Sequence, residues 1–253
     1  MITAVVIAKN EEKNLPDCLA GLKFCSRVIV VDNNSVDTTA VVAKKHGAEV
    51  IRAPFSGDFA KLRNLALAKI STPWTLFVDA DERVSAALAA EITVAVTNSK
   101  VTGYFLSRQD HLWGRVLKHG DTGNIQLLRL ARTGLGFWHG QVHEHWQVTG
   151  QTESLINPLL HYPHPDLVSF LEKINLYSGI RAEELHHLGA TSGLAAIIFY
   201  PLGKFFYLWI CKLGFLDGTV GLIHAICMSF YTFLVRSKLF LLSVGIRDLS
   251  SKS

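Results

Sequence analysis

The chain has 253 residues and a formal net charge of +4, so no basic surface of the kind that binds nucleic acid is indicated. This length is sufficient for one large domain, or for a domain with an appendage. Hydrophobic residues make up 49% of the chain and charged residues only 18%, which is apolar for a freely soluble enzyme. Four cysteines without CxxC spacing are typical of reduced, cytosolic thiols.

The first hundred residues alternate short apolar runs with stretches of helical periodicity. Buried parallel strands are predicted over 2–8, 27–32, 49–52 and 74–79, and helices over 12–22, 37–46, 59–70 and 86–98. The first run has no basic leader and stops at Lys9, so we interpret it as a strand and not as a signal peptide. Alternation of this kind predicts an α/β fold with a doubly wound, mostly parallel sheet.

Polar residues follow three of these strands. They are Asn10 and Glu11 after the first, Asp32 to Ser35 at the second, and Asp79, Ala80 and Asp81 at the fourth. In an open α/β sheet, ligands bind beyond the carboxyl ends of the strands. We therefore expect the three clusters to converge on one crevice.

Asp79 and Asp81 form a DxD motif at the end of a buried strand. Two carboxylates this close repel each other unless a divalent cation or a shared proton lies between them. Their oxygen atoms suit Mg²⁺ or Mn²⁺, and a diphosphate is a common second ligand of such an ion. The alternative is an acidic strand-to-helix turn, with Ser85 capping the helix that follows.

The pattern changes after residue 101. Alternating runs at 103–108, 124–131 and 142–148 predict a mixed or antiparallel extension of the sheet. Between the first two, residues 109–123 form a predicted polar, glycine-containing loop, long enough to be functional. Its candidate acceptor-binding or diphosphate-binding residues are Asp110, Trp113, Arg115 and Lys118.

The C-terminal region holds most of the surplus hydrophobicity. An amphipathic helix is predicted over 166–188, followed by apolar segments at 194–215 and 219–246. The uncharged stretch 219–235 is at the lower limit of the roughly 17–25 residues that span a bilayer. Lysines and aromatic residues within these segments favour helices that lie in the membrane interface. The alternatives are a hairpin packed on its own domain, a homo-oligomer contact, or a spanning hairpin.

Three motifs in order carry a family resemblance: Val5 to Leu15, Val30 to Thr39, and Phe77 to Glu82. Together they resemble the family 2 inverting glycosyltransferases, whose nucleotide-binding domain has the GT-A fold. The resemblance is closest to the bacterial branch that includes the lipopolysaccharide core β-1,4-glucosyltransferases. It continues through Arg63-Asn64, Gly114-Arg115, 128–130, 142–144 and 214–218, and so covers nearly the whole chain.

The resemblance implies a nucleotide-sugar site. It assigns Asp79 and Asp81 to the sugar diphosphate and its Mg²⁺ or Mn²⁺, and Asp32 to the base and ribose. The remaining implied donor-site residues are Ala8, Asn10, Glu11, Asn34, Arg63 and Ala80. Asp37 is a further candidate partner of the nucleotide. Glu11 and Asp37 each have helix capping as the alternative. Arg63 is able to pair with phosphate or with Asp79, and a surface arginine is the alternative.

Inverting transfer needs a base that takes the proton of the acceptor hydroxyl. Glu144 lies in the segment that resembles the family's base region, and strand alternation directs His143 and His145 to the opposite side. A salt bridge from Glu144 to Arg129 or Arg132 is the alternative, and Asp110 is a second candidate base. Asp81 joins the catalytic residues through the metal, and Arg115 or Lys118 is a candidate clamp for the leaving diphosphate.

The histidines at 139, 143, 145, 161 and 164 match no zinc motif, although His143 or His145 is a candidate third ligand of the divalent ion. The absence of a glycine-rich loop after the first strand disfavours a nucleotidyltransferase. We expect residues 1–165 to form the catalytic domain, with a nucleotide-sugar half (1–100) and an acceptor half (101–165). Residues 166–253 would form a helical region that binds membrane or oligomerises.

The resemblance thus implies a metal-dependent enzyme that moves a hexose, glucose from UDP-glucose, onto a membrane-held saccharide such as the lipopolysaccharide inner core. It would act at the cytoplasmic face of the inner membrane as a peripheral or monotopic protein. The alternatives are a polyprenyl-linked or capsule glycan with another nucleotide sugar, and an inactive membrane scaffold.

Overall fold

A computed structural model describes residues 1–53, 59–123, 125–140, 144–163 and 166–246. The chain divides into two compact units: Met1–Gln109 with Asn124–Tyr162, and Asp110–Gly123 with Pro163–Ser253. Residues 110–123 thus belong to the second unit, whereas the sequence predicts a single boundary near residue 165. Ser56 and Asp58, two candidate start residues for the helix predicted over 59–70, lie outside the described ranges, as do Val142, His143 and His164.

The strands and helices begin and end as follows. The strands are β1 Ile2–Ala8, β2 Arg27–Asp32, β3 Glu49–Arg52, β4 Trp74–Asp79, β5 Glu82–Arg83, β6 Gly103–Leu112, β7 Arg115–Leu117, β8 Ile125–Arg132, β9 Gly136–His139, β10 His145–Val148, β11 Thr152–Ser154 and β12 Leu159–His161. The helices are α1 Leu15–Ala20, α2 Thr39–Lys45, α3 Phe59–Leu67, α4 Ala86–Ala95, α5 Leu167–His187, α6 Leu194–Phe206 and α7 Gly218–Ser243.

The first unit is built on a mixed sheet. Strands β3, β2, β1 and β4 are neighbours in that order and run parallel. Strand β8 joins β4 in the antiparallel direction, and the sheet continues through β6 and β12 to β5. The four predicted parallel strands have the predicted bounds, and β6 and β8 form the predicted antiparallel extension. The predicted run at 142–148 does not extend this sheet, because β10 pairs with β9 in a separate two-stranded sheet.

Alternate residues of the parallel strands fill two cores on opposite faces of the sheet. On one face Leu15 of α1 and Leu88 of α4 pack with Val6 and Leu76. On the other face Phe77 packs with α3 and with the β9–β10 hairpin, in edge contact at 5.0 Å with Trp138 and with Trp146. Because helices cover both faces, the doubly wound arrangement is confirmed.

The predicted loop at 109–123 is wrong over its first part. Strand β6 continues to Leu112, and β7 returns antiparallel to it from Arg115. Trp113 and Gly114 connect the two strands with φ angles of 46° and 78°, the pair of left-handed conformations that a tight two-residue hairpin turn requires. A Trp-Gly pair lacks the usual Asn-Gly or Asp-Gly signal of such a turn, so the hairpin was not visible in the sequence.

The helices of the second unit confirm the predicted apolar C-terminal region. Helix α7 packs against both α5 and α6. Between α6 and α7 the chain passes through a π-helical turn at Tyr207–Cys211 and a 3₁₀ turn at Gly214–Asp217. A Cβ atom on Gly221 would lie 2.2 Å from the Gly214 carbonyl oxygen, so only glycine permits this approach. Two segments, Leu194–Cys211 and Gly214–Ser243, are long and apolar enough to cross a membrane by length and composition alone.

Candidate active site

The carboxyl ends of the parallel strands bring Asp32 and Asp79 to one edge of the sheet. In β1, Ala8 is in register with Asp32 and Ile7 is in register with Asp79. Since β1 lies between β2 and β4, two strand spacings, roughly 10 Å, separate the two backbone positions. Register partners share a face of the sheet, so Asp79 lies on the α3 face and Asp32 on the other face. The two residues therefore share an edge, and a ligand that contacts both must extend across it.

Hydrogen bonds interlock the tips of β1 and β2. The Asn33 N–H donates to the Ala8 carbonyl at 2.9 Å, and the Ser35 N–H donates to Asp32 Oδ1 at 3.1 Å. The Asn10 N–H donates to Ser35 Oγ at 3.0 Å. Asp32 and Asn33 are buried, and Asn33 Oδ1 has no hydrogen-bond partner within the described ranges. This corner thus places the hydrogen-bonded carboxylate of Asp32 beside Asn33 Oδ1, an acceptor without a partner among the described residues.

Two asparagines give this corner its backbone shape. Asn10 and Asn34 have φ angles of 57° and 55°, in the left-handed region that asparagine tolerates better than most residues. Two acidic residues near this corner make local hydrogen bonds, although neither is the N-cap of its helix. Glu11 accepts from Asn14 Nδ2 at 2.8 Å, and Asp37 accepts from the Thr39 N–H at 3.0 Å at the start of α2.

Both carboxylate oxygens of Asp79 are engaged by arginines. Arg63 Nη2 donates to Oδ1 at 2.9 Å, and Arg129 Nη2 donates to Oδ2 at 2.5 Å. Arg129 also donates to Glu82 Oε1 at 3.3 Å, while Glu82 Oε2 accepts from the Asp79 N–H at 2.8 Å. Arg63, Arg129 and Glu82 are buried, so the DxD strand ends in a desolvated ionic cluster.

Burial and charge act in opposite directions in this cluster. Burial opposes ionisation of Asp79, but Arg129 and Arg63 outweigh it and hold the pKa of Asp79 well below its usual range. For Glu82, burial dominates over the attraction of Arg129 and raises the pKa to about 7. Burial alone would lower the pKa of Arg129, yet Asp79 and Glu82 raise it above its usual value. At neutral pH the carboxylate of Asp79 is therefore ionised between the two arginines.

Arg63 also binds the candidate base. Its Nε and Nη2 atoms donate to Glu144 Oε1 at 3.1 and 3.0 Å, and its guanidinium carbon lies 4.6 Å from the Trp138 ring centroid. The Glu144 salt bridge is therefore made with Arg63, and not with Arg129 or Arg132 as in the sequence-based alternative. Asn64 fixes Trp138 by two backbone hydrogen bonds, at 2.9 and 3.0 Å.

Two polar atoms, Arg63 Nη1 and Glu144 Oε2, take no part in the hydrogen bonds between Arg63 and Glu144. Arg63 Nη1 is buried and has no hydrogen-bond partner in the described part of the chain. Both hydrogen bonds from Arg63 to Glu144 reach Oε1, so Oε2 is not used by this pair. Strand β10 begins at His145, which is exposed, whereas Trp146 is buried. Glu144 precedes this strand, so the placement of His145 on the side opposite to Glu144 stays a prediction.

Asp81 lies beyond the end of β4 and faces His161, which the sequence suggested only as a zinc ligand. His161 Nε2 lies 3.5 Å from Asp81 Oδ2. Strand β12 pairs with β5 next to it, and the Tyr162 N–H donates to the Asp81 carbonyl at 2.8 Å. Among the described residues, no group of three His, Cys, Asp or Glu side chains is placed to hold a metal ion. Asp81 and His161 thus form a carboxylate–imidazole pair.

The four candidate residues of the 109–123 segment belong to the second unit, whereas Glu144 and Asp81 belong to the first. Asp110 is buried in β6, and Trp113 packs against Phe170 with ring centroids 6.1 Å apart. Arg115 and Lys118 are exposed.

Comparison with known proteins agrees with this geometry. A parallel β3-β2-β1-β4 sheet with an antiparallel extension is the arrangement of the GT-A fold. The family model for Glycosyl transferase family 2 matches residues 3–147, and the chain belongs to this family. It is an inverting glycosyltransferase.

Two relatives match most of the chain. The lipopolysaccharide core biosynthesis glycosyltransferase LpsC of Rhizobium meliloti is 27% identical over 94% of this chain and 92% of its own. An uncharacterized glycosyltransferase of Rickettsia prowazekii, RP128, is 27% identical over 100% of this chain and 88% of its own. The crystal structure of S. aureus TarS 1-349 in complex with UDP has a TM-score of 0.50 and 15% identity, covering 96% of this chain and 91% of that one.

Proposed function

We propose that this enzyme transfers a hexose, glucose from UDP-glucose, onto a hydroxyl of a membrane-held saccharide such as the lipopolysaccharide inner core. The observation that carries the proposal is the bridge from Asp79 through Arg63 to Glu144, which joins the DxD strand to a carboxylate suited to act as a base. The similarity to LpsC supports a lipopolysaccharide core acceptor.

The donor would lie along the carboxyl edge of the parallel strands. Asp32 is a buried acceptor suited to a uracil imide proton or a ribose hydroxyl, and the neighbouring Asn33 Oδ1 offers a second acceptor. Arg63 Nη1 is a buried, charged donor that no described residue accepts from, which suits a diphosphate oxygen. A uridine diphosphate sugar presents these groups in this order.

Asp81 and His161 are the residues that would hold a divalent ion. A carboxylate oxygen and an imidazole nitrogen 3.5 Å apart suit Mn²⁺ and accommodate Mg²⁺, with diphosphate oxygens and water as the remaining ligands. Asp79 fits this role less well, because both of its oxygens bind arginines. The ion would neutralise charge that develops on the leaving diphosphate.

Glu144 would act as the base. Its Oε2 atom takes the proton of the acceptor hydroxyl while the hydroxyl oxygen forms a bond to the anomeric carbon. The bond between that carbon and the diphosphate oxygen breaks, and the diphosphate leaves with the electron pair. Arg63 orients the carboxylate through Oε1, so the attacking oxygen meets a positioned group.

The proposed location is the cytoplasmic face of the inner membrane, where a lipid-anchored acceptor stays in the bilayer plane. Sharing that plane raises the effective concentration of acceptor and enzyme. The two long apolar helical segments support this location.

The test is thermal stabilisation by a panel of nucleotide sugars with and without Mn²⁺, followed by transfer to deacylated core oligosaccharide. We expect UDP-glucose with Mn²⁺ to stabilise the protein most, since a ligand that binds only the folded state raises its stability. Stabilisation by a different nucleotide sugar would redirect the donor assignment. Stabilisation by none of them would contradict the proposal and favour a scaffold.

A further inference from the structure

We propose that helix α6 and the turns after it lie flat on an anionic bilayer, and that neither α6 nor α7 crosses it. The inference deepens the proposed membrane location by naming the contacting face. It follows from what covers the two helices inside the second unit.

Helix α6 and the π-helical turn after it expose one apolar stripe. The side chains of this stripe are spaced mostly four residues apart, which places them on one helix face, and they are between 46% and 74% exposed. We call them the docking face: Leu194, Ile198, Phe199, Leu202, Phe206 and Ile210. A continuous exposed apolar surface of this kind marks an interaction site.

A polar segment, Lys118–Asp121, runs along α6 and the turn after it. Lys204 Nζ donates to Asp121 Oδ2 at 2.6 Å, and the Gly120 N–H donates to the Lys212 carbonyl at 3.0 Å. Asp217 fixes the start of this segment, since its buried carboxylate accepts from the Lys118 and His119 N–H groups. Lys204 and Lys212 are eight residues apart, about 12 Å along a helix. If α6 crossed the bilayer, the ion pair and the polar backbone segment beside this stretch would enter the hydrocarbon, at a large desolvation cost.

Helix α7 is likewise covered by a charged helix. Phe170 of α5 stacks on His224, with ring centroids 6.0 Å apart, and Lys238 Nζ donates to the Asn175 carbonyl at 2.6 Å. These contacts are 14 residues apart on α7, about 21 Å of the roughly 30 Å hydrocarbon thickness. Helix α5 carries Glu172, Lys173 and the exposed Arg181–Glu184 pair, so α7 is not able to span without immersing them.

Charge identifies the occupant of the docking face as an anionic lipid surface. Segment 194–243 contains four basic residues, Lys204, Lys212, Arg236 and Lys238. Lys204 is paired with Asp121, and Lys238 is bound by Asn175. The positive charge without an ion-pair partner among the described residues is that of Lys212 and Arg236, which lie over the Tyr207 and Tyr200 rings. The acidic residue of the segment, Asp217, accepts from backbone N–H groups. A second copy of the chain would bring like charges together, whereas phosphatidylglycerol supplies the opposite charge. Tyr200 and Tyr207, exposed beside the docking face, suit the headgroup region.

The experiment is flotation of the full chain with phosphatidylglycerol vesicles and with phosphatidylcholine vesicles. The test variant is Phe199→Glu/Phe206→Glu, and the matched control is Val41→Glu/Val94→Glu, two exposed apolar positions of the first unit with the same change in charge. We expect wild type and control to float with anionic vesicles, less so at high salt, and the test variant to bind at least about tenfold more weakly. Alkaline carbonate should release the wild type.

Three outcomes would overturn the inference. They are unchanged flotation of the test variant, retention of the wild type after carbonate, and a soluble wild-type dimer that the test variant converts to monomer in light scattering. Stabilisation by UDP-glucose with Mn²⁺ is measured on each variant, so loss of donor binding is distinguished from loss of membrane binding. If the double variant does not fold, Ile198→Ser replaces it.

Discussion

Two hydrogen bonds join Arg63 to Glu144, although 81 residues separate them in the chain. The same Nη2 atom also reaches Asp79 at 2.9 Å. One guanidinium therefore fixes the end of the DxD strand and the proposed base at once. If the Arg63 guanidinium moved toward a bound diphosphate, its hydrogen bonds to Glu144 would change. Donor binding and positioning of the base would therefore be coupled.

The Arg63→Met variant should lower the free energy of unfolding by about 3–5 kcal/mol, because it leaves the carboxylates of Asp79 and Glu144 without their shared partner. Chemical denaturation measures this. The matched control is Arg27→Met, since Arg27 pairs with Glu49 on the exposed surface and should cost no more than about 1 kcal/mol. Equal losses in the two variants would contradict the cluster described above.

The Glu144→Gln variant should lower kcat for transfer by about 10²–10⁴-fold, the usual contribution of general base catalysis. Glutamine keeps a carbonyl oxygen for Arg63 but does not accept the proton. Stabilisation by UDP-glucose and Mn²⁺ should persist. The neighbouring exposed residue supplies the control, His145→Gln, which should retain activity. A Glu144→Gln enzyme with near-normal kcat would show that the base lies elsewhere.

Removal of either proposed metal ligand should weaken Mn²⁺ binding in the presence of UDP by about tenfold or more. The variants are Asp81→Asn and His161→Ala, and the signal of free Mn²⁺ in electron paramagnetic resonance measures the loss. His139→Ala is the control, because His139 is exposed on β9. If only Asp81→Asn weakens binding, the imidazole of His161 is not a ligand.

The raised pKa of Glu82 predicts that the free energy of unfolding depends on pH. Burial raises its pKa from 4.5 to about 7, so the folded state binds more protons than the unfolded state between these values. The contribution of Glu82 to the free energy of unfolding therefore falls as pH rises through this window, by at most about 1.4 kcal/mol per pH unit. Asp79 acts in the opposite sense, since its lowered pKa makes stability fall as pH drops below 3.8.

Urea unfolding of wild type and Glu82→Gln at pH 5, 6 and 7 tests this prediction. The variant should show a less negative slope, because its amide does not titrate. Parallel slopes in the two proteins would mean that Glu82 keeps an ordinary carboxyl pKa.

The sequence predicted the parts of the fold that depend on local pattern. The runs of β-branched residues gave the four parallel strands at their observed bounds, because a strand buried on both faces is apolar throughout. The same pattern predicted that Asp32 and Asp79 lie at strand ends along one edge of the sheet, and both do. Ser85 caps α4 as expected, accepting from the Leu88 N–H.

Features that depend on pairing between distant segments were not predictable in this way. His161 approaches Asp81 only because β12 pairs with β5, and a three-residue strand has no periodicity to reveal it. Burial of Glu82 is similar, since nothing local distinguishes it from a surface acid in a turn. Its burial follows from Arg129 of β8, which reaches the same cluster across the sheet.

The contact between Arg63 and Trp138 makes the intrinsic tryptophan fluorescence sensitive to the position of the Arg63 guanidinium. Indole emission is sensitive to a cation 4.6 Å from the ring, and Trp146 stacks on Trp138 at 5.5 Å. A shift of the guanidinium during a catalytic cycle would therefore change the intrinsic fluorescence of this pair. Rapid-mixing experiments could then follow the enzyme in real time without an attached dye.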